Sequence, residues 1–352
     1  MTKLKILLTV ILLLALSSSS FAQEPYRVGT TAANFLEIGY GSAATAMGDA
    51  YVSVAKGLSS IYWNPAGLGY MDRSEATFSV QPWFVDINTS MTGLAYVHPR
   101  LGTFAIGLIM MDYGAEEVTT VAYPTGTGEN FDGSDISFSL SYGRKLADWF
   151  AFGFTAKYIS SQIWHETASA MAIDLGAIVN TNFLSWSDKP GDGLNIGMSI
   201  SNYGTKLAYD GIDLKESVDI LPDEDGNYAN VAARYELDAW ELPLIFRLGI
   251  SFNPYLDETH KVIVAVDALH PNNNSESVNV GAEYSLKIPT YGSIFLRGGY
   301  KGFFLDESNY GLSLGIGFIL NVFGNQSIKF DYSYRDHETL GSIYSYSIGY
   351  QF

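Results

Sequence analysis

Along most of the chain, apolar and polar residues alternate one for one. Tyr344, Tyr346, Ile348, Tyr350 and Phe352 share one parity, and Ser345, Ser347, Gly349 and Gln351 share the other. Val278, Val280, Ala282, Tyr284, Leu286 and Ile288 alternate with Asn279, Gly281, Glu283, Ser285 and Lys287. Ile328, Phe330, Tyr332 and Tyr334 interleave with Lys329, Asp331, Ser333 and Arg335. A period of two is the mark of a strand whose two faces meet unlike surroundings.

The alternation predicts strands near 74–81, 90–97, 102–112, 135–143, 149–161, 168–182, 192–203, 241–252, 260–269, 276–288, 291–301, 309–320, 326–336 and 342–352. That is about fourteen, an even number, as single-chain bacterial barrels require. The two longest connections, around 113–134 and 204–240, both follow odd-numbered strands and so open on one side. Tight links such as His98-Pro99-Arg100-Leu101 and Pro289-Thr290 fall on the other. Short turns on one rim and long loops on the other are a barrel trait.

A soluble sandwich also alternates, with its apolar face inward. Two features favour an apolar face turned outward to lipid. The polar parity is rich in Gly, Ser and single charges, as a filled lumen requires. Tyr and Phe recur near strand ends, where interfacial girdles sit. Composition agrees. There are 24 Tyr, 20 Phe and 35 Gly, and 16% of residues are charged, below the roughly 25% of soluble domains. No Cys is present, which excludes disulfides, thiolate metal sites and a lipid anchor on an N-terminal Cys. The net charge of −17 and the lack of a basic patch argue against nucleic acid as a partner.

The first 22 residues read as an export signal. Lys3 and Lys5 precede an apolar run from Ile6 to Leu16, and Ser20-Phe21-Ala22 forms the cleavage pattern. The run is shorter than the roughly 20 residues a spanning helix needs, and no later stretch is apolar enough for one. A mature membrane protein would therefore have to be a closed barrel. Thr31 to Tyr70 lacks clean alternation. It reads as Ala-rich and partly helical over Ser42–Ala50, and ends in Asn64-Pro65-Ala66-Gly67. Pro65 restrains Asn64 to an extended state, and Gly67 permits a sharp turn. Irregular backbone cannot face lipid, so the segment is expected inside the barrel as a plug; a periplasmic tail or a first hairpin is the alternative. The expected organisation is a signal at 1–22, a plug at 23–72 and an all-β transmembrane antiparallel barrel at 73–352.

Several motifs yield to plainer readings. Gly311-Leu312-Ser313-Leu314-Gly315 fits a hydrolase elbow, but it lies inside an alternating strand with no helix after it. Gly39-Tyr40-Gly41-Ser42-Ala43-Ala44 lacks the βαβ unit of a dinucleotide site. His98, His165, His260, His270 and His337 show no metal-ligand spacing. Asp223-Glu224-Asp225-Gly226-Asn227 departs from the calcium-loop pattern. The acid-rich 204–240 loop, with Asp210, Asp213, Glu216, Asp219, Asp223, Glu224, Asp225, Glu236 and Asp238, suits either a partner-binding or lid role or simple solvation. No cofactor, metal or catalytic residue is expected.

By parity, Lys157, Asp174, Arg247, Asp267, Glu283, Lys287, Arg297, Lys329, Asp331 and Arg335 face inward. Both signs are present. A selective ion pore would need a bias toward one sign; a mixed set is expected to neutralise itself, stiffen the barrel and anchor the plug.

The run Gly41-Ser42-Ala43-Ala44-Thr45-Ala46-Met47-Gly48-Asp49-Ala50 followed by Asn64-Pro65-Ala66-Gly67-Leu68 resembles the N-terminal region of the PorV/PorQ family, outer-membrane proteins related to the FadL fatty-acid channels. Asp267-Ala268-Leu269-His270-Pro271-Asn272, Val278–Tyr284 and Leu296-Arg297-Gly298-Gly299-Tyr300 resemble the family's C-terminal signature, and Phe352 resembles the terminal aromatic that barrel-assembly machinery recognises. The resemblance runs from about Gly29 to Phe352. It implies a FadL-like barrel of fourteen strands in the outer membrane and a non-enzymatic role in type IX secretion. The implied partners are outer-membrane lipid and a protein, either secreted cargo or the translocon. The implied plug positions are Asp49, Asn64, Pro65, Ala66 and Gly67. The alternative is a FadL-like transporter of hydrophobic small molecules.

Overall fold

The computed structural model describes residues 27–185, 187, 191–224, 226, 230–305 and 308–352; the expected export signal lies outside them. The strands in chain order are β1 (Glu75–Pro82), β2 (Asn88–His98), β3 (Gly102–Glu117), β4 (Asn130–Ala147), β5 (Phe150–Ile163), β6 (Glu166–Asn180), β7 (Asn195–Gly204), β8 (Asp210–Gly211), β9 (Lys215–Val218), β10 (Val231–Arg234), β11 (Ile245–Leu256), β12 (His260–Pro271), β13 (Ser277–Ile288), β14 (Gly292–Phe303), β15 (Tyr310–Asn321), β16 (Ser327–His337) and β17 (Gly341–Gln351). Fourteen of them, β1–β7 and β11–β17, pair antiparallel with their neighbours, and β1 pairs with β17, so the sheet closes on itself. Closure leaves no exposed sheet edge along the wall.

Each expected strand is present. The main differences lie at the ends. β3 and β4 project further than the alternation suggests, pairing out to Glu117 and Asn130 across an irregularity between Asp112 and Ala115. The long connection after β7 carries β8, which extends β6, and the β9–β10 ribbon. Its described residues therefore include paired backbone at 210–211, 215–218 and 231–234. The turn-side link after β6 is longer than the others on its rim, running from residue 181 to 194.

The alternation has the polarity expected of a barrel in lipid. Tyr344, Tyr346, Ile348 and Tyr350 are 40–53% exposed, whereas Ser345 and Ser347 are 0% and 8% exposed. Phe104, Ile106, Phe138, Leu140, Phe154, Leu314 and Phe330 likewise look outward. No helix among the described residues is long and apolar enough to cross a membrane.

The hydrophobic core lies inside the wall. Phe35, Leu36, Tyr40, Met47, Leu58, Ile61, Tyr62, Trp63 and Leu68 of the N-terminal segment pack against small inward residues such as Ala95, Ala105, Ala170, Ala172 and Ala265. The rings of Tyr62 and Trp63 meet edge-on at 4.9 Å, and Tyr40 and Tyr62 at 5.3 Å. Aromatic hydroxyls and the indole nitrogen satisfy segment carbonyls: Tyr62 donates to Leu36 O at 3.0 Å and Trp63 to Tyr40 O at 2.8 Å. A Gly/Ser/Ala inner face leaves the room that these large side chains fill.

Candidate functional site: the lumen segment and its charged anchors

The N-terminal segment runs through the interior from one rim to the other. At the loop-side rim, Ala32 N donates to Glu241 O at 2.9 Å and Asn273 donates to Thr31 Oγ1 at 2.7 Å. At the other rim, Arg73 donates to Asn325 O at 3.0 Å, in the turn between β15 and β16. Between them lie a short helix, Ser42–Ala46, a turn of helix, Ser60–Trp63, and a 3₁₀ helix, Pro65–Tyr70. The Ser42–Ala46 helix is shorter than the Ala-rich run suggests, because Gly48 and Asp49 both take positive φ and end it.

The segment's backbone lies directly on the wall at inward glycines. A Cβ on Gly299 would overlap Met47 and Gly48, and one on Gly176 would overlap the Asn64 side chain and Pro65. The wall glycines thus act as seats. Asn64 is extended, as Pro65 requires. It caps the 3₁₀ helix by accepting from Ala66 N at 3.1 Å and donates to Val52 O at 2.9 Å and to Ala177 O of β6 at 3.2 Å. Ala66 is fully buried. Gly67 serves close packing and makes no sharp turn. It lies within the 3₁₀ helix, and a Cβ there would run into Ala55 O and Ser60 Oγ.

Charged residues of the wall hold the segment at defined points. Asp49, fully enclosed, is bonded by Arg335 of β16 and paired with Lys301 Nζ of β14 at 2.9 Å. Burial works against its charge, but these two cations outweigh it and hold the carboxyl below the usual carboxylate value. Arg335 also donates to Thr45 O at 3.1 Å. Asp267 of β12 accepts the backbone N–H groups of Tyr51 and Val52 at 2.6 and 2.8 Å. Arg247 of β11 stacks over the rings of Tyr62 and Trp63 at 5.6 and 5.7 Å and donates to Ser201 at 2.8 Å. Hydroxyls complete the set, with Ser42 bridging Ser345 and Ser347 of β17.

Two further groups bind the wall to itself. Glu283, Arg297 and Asp331 form a chain of 2.6 Å contacts across β13, β14 and β16, extended by Lys329 at 3.7 Å. Lys157 and Asp174 pair at 2.6 Å, and Lys157 donates to Asn202 at 2.8 Å. The inward charges therefore form separate clusters in place of one continuous network. Lys287 stands exposed at the turn-side end of β13.

Lys301 escaped the sequence reading because it sits at the predicted end of its strand, although its parity with Arg297 and Gly299 would have placed it inward. Asn202 left no such signal. It takes a positive φ where the β6–β7 register shifts, and a bulge breaks parity. His337, expected to be solvated or interfacial, is buried at the loop-side end of β16 among Trp83, Phe84 and Tyr310.

Two cavities open near the loop-side rim. One, of about 220 Å³, is lined by Tyr113, Phe131, Asp135, Ile163 and Tyr209. The other, of about 110 Å³, lies over Tyr62, Trp63, Arg247 and Lys301. Among the described residues no group of three or more His, Cys, Asp or Glu is arranged to hold a metal ion.

Comparison with solved structures places the fold among hydrocarbon and FadL-type channels. The toluene transporter TodX of Pseudomonas putida superposes with a TM-score of 0.54 at 12% identity, covering 89% of this chain and 98% of that one. The toluene transporter TbuX of Ralstonia pickettii gives 0.54 at 14% identity, with the same coverage. A FadL homologue of Pseudomonas aeruginosa gives 0.50 at 11%, covering 88% and 97%. At these identities the likeness is one of fold. No curated protein matches in sequence. Residues 21–220 match the family described as Type IX secretion system protein PorV. A match over more than half of the chain, on a closed fourteen-stranded barrel with a filled lumen, decides the family: this chain belongs to the PorV family of type IX secretion system proteins.

Proposed function

We propose that the chain is an outer-membrane scaffold that docks a protein partner of type IX secretion, either exported cargo or the translocon, on its loop-side face. Residues 23–72 act in it as a plug. The observation that carries this reading is the way the lumen is filled. The segment is seated backbone-to-backbone on wall glycines and fixed by Asp49–Arg335, Asp49–Lys301 and the Asp267 amide bonds. A segment held this firmly stiffens the barrel. It leaves the loops, above all residues 205–244 with the β9–β10 ribbon, as the surface for recognition.

The test is affinity purification from native outer membranes. Co-recovery of a secreted surface protein or of a large translocon barrel, lost when residues 212–236 are replaced by a short Gly-Ser linker, supports the proposal. Recovery of the barrel alone, with intact loops and after cross-linking, overturns it.

A second reading has one observation in its favour. The larger cavity is walled mainly by Tyr113, Phe131, Ile163 and Tyr209, which suits a small hydrophobic molecule of the kind the structural neighbours are named for carrying. Bound hydrocarbon or fatty acid in the purified protein, with no protein partner, would favour it.

A further inference from the structure

The larger loop-side cavity holds a carboxylate that no cation of the described residues neutralises. Its volume is about 220 Å³. Tyr113 of β3, Phe131 of β4 and Tyr209 of the connection after β7 give it aromatic walls, and Ile163 at the end of β5 adds an aliphatic one. Tyr113 lies in the irregularity between Asp112 and Ala115, and a bulge of this kind re-aims a side chain. Its hydroxyl donates to Asp135 Oδ2 at 2.6 Å. Asp135 is 7% exposed and lines the cavity together with Glu116. The second oxygen, Oδ1, has no hydrogen-bond partner among the described residues and keeps accessible surface. No Lys, Arg or His lines the cavity. Among the described residues none lies within ion-pair distance of Asp135 or Glu116.

The sign of the charge a ligand can carry follows from these neighbours. A carboxylate stripped of water without a counter-charge is unfavourable, so a neutral hydrocarbon filling the cavity would dehydrate Asp135 and leave it unpaired. An anion would meet like charge. A cation would meet both the carboxylate and aromatic rings, whose faces attract positive charge. The chain that supplies the walls has the same bias. Residues 113–134 carry four acids and no base, and residues 204–240 carry nine acids against three bases, a field that draws cations toward the mouth. The volume exceeds the roughly 150 Å³ that encloses a benzene ring in an engineered cavity. It has room for one ring and a short ammonium arm.

We infer that this cavity binds a small organic cation, an ammonium group carried on a compact apolar or single-ring body, with Asp135 as its counter-ion and Tyr113, Phe131 and Tyr209 around it. The inference rests on the second reading above for the presence of a small ligand, and it names that ligand's class. It does not depend on the docking role.

The test is calorimetric titration of the detergent-purified barrel, near neutral pH, with benzylammonium chloride, benzyl alcohol and sodium benzoate, which share a ring and differ in charge. The expected result is saturable binding of benzylammonium, with benzyl alcohol weaker by about tenfold or more, as loss of a charge-assisted contact implies, and benzoate weaker still. Asp135→Asn keeps the size of the side chain and an oxygen that can accept from Tyr113. It should lower benzylammonium affinity by about tenfold or more without lowering that of benzyl alcohol. Ile163→Trp narrows the cavity from a position 50% exposed. It should weaken both ligands, and it tests the location should Asp135→Asn fail to fold. Benzyl alcohol bound as tightly as benzylammonium overturns the inference and leaves the second reading standing. Benzoate bound as tightly, or unchanged benzylammonium affinity in the folded variants, overturns the inference as well. Absence of saturable binding by all three overturns both.

Discussion

Arg335 on the next-to-last strand donates to the carboxylate of Asp49 in the lumen segment, across 286 positions of sequence. Both groups are all but fully buried, with side chains 1% and 2% exposed. The bond ties the part of the chain made first to a strand made almost last. Removing one partner of such a pair leaves an uncompensated buried charge, which costs roughly 3–5 kcal/mol. Arg335→Gln and Asp49→Asn should each destabilise the barrel on that scale. The double variant should be less unstable than the sum, because neither charge is then orphaned. Urea unfolding of the detergent-solubilised protein measures this. Strict additivity would show that the two residues do not interact.

The same pair sets an acid response. The Asp49 carboxyl in the folded chain lies below its usual value of 3.8, since Arg335 and Lys301 outweigh the effect of burial. A carboxyl depressed on folding stabilises fully above the unfolded value, and that contribution falls away as pH drops through the folded one. The lumen segment should therefore stay protected from protease between pH 7 and about 4, near the unperturbed carboxyl value, and loosen below it. In Asp49→Asn the protection should be weaker throughout and this acid step shallower. An equally steep step in that variant would assign the transition to other carboxylates.

Much of the wall was legible in the sequence, because each strand there meets lipid on one face and a packed interior on the other. Tyr344 to Phe352 and Ile328 to Arg335 show this without ambiguity. The strands were harder to read where that contrast fades. Above the membrane both faces of β3 and β4 meet water, so their extensions to Glu117 and Asn130 carry no period. The seating of the lumen segment was less legible still. Parity turns Gly176 and Gly299 inward, but a glycine in sequence does not say whether it faces open space or another backbone. Of the charged groups that hold the segment from the wall, parity missed Lys301, at a strand end; it also missed the neutral Asn202, in a bulge.

The outward orientation of the apolar parity has its own test. Leu314, near the middle of β15, is 47% exposed on the outer face. Arginine on a lipid-facing strand position near the midplane costs roughly 2–4 kcal/mol. Leu314→Arg should lower folding stability in lipid vesicles by about that much, while Tyr291→Arg, at the turn-side rim, should cost well under ~1 kcal/mol. Equal tolerance at both positions would mean that the outer face is wetted along its whole height.

The seating of the lumen segment predicts a particular form of second-site rescue. A side chain at Gly176 would collide with the Asn64 amide and with Pro65, whereas a Cβ at Gly298 would meet nothing nearer than Leu314 Cδ2, at 3.4 Å. Overpacking a tight contact costs about 1–3 kcal/mol. Gly176→Val should therefore lose that much stability and expose residues around 55–70 to protease, with β-sheet circular dichroism unchanged because the wall can close without the segment. Gly298→Val should stay within about 0.5 kcal/mol, the usual range for surface changes. Asn64→Ala alone should also destabilise, since it removes the cap on Ala66 N and the bonds to Val52 O and Ala177 O. Combined with Gly176→Val, however, it deletes the nearest colliding atom, Asn64 Oδ1, and leaves only the contact with Pro65 Cδ and Ala66 N. The double variant should then be more stable than the sum of the two losses, by an amount that measures the collision. Simple addition would mean that the segment does not rest on the wall at Gly176, and that its position is set by the ion pairs alone.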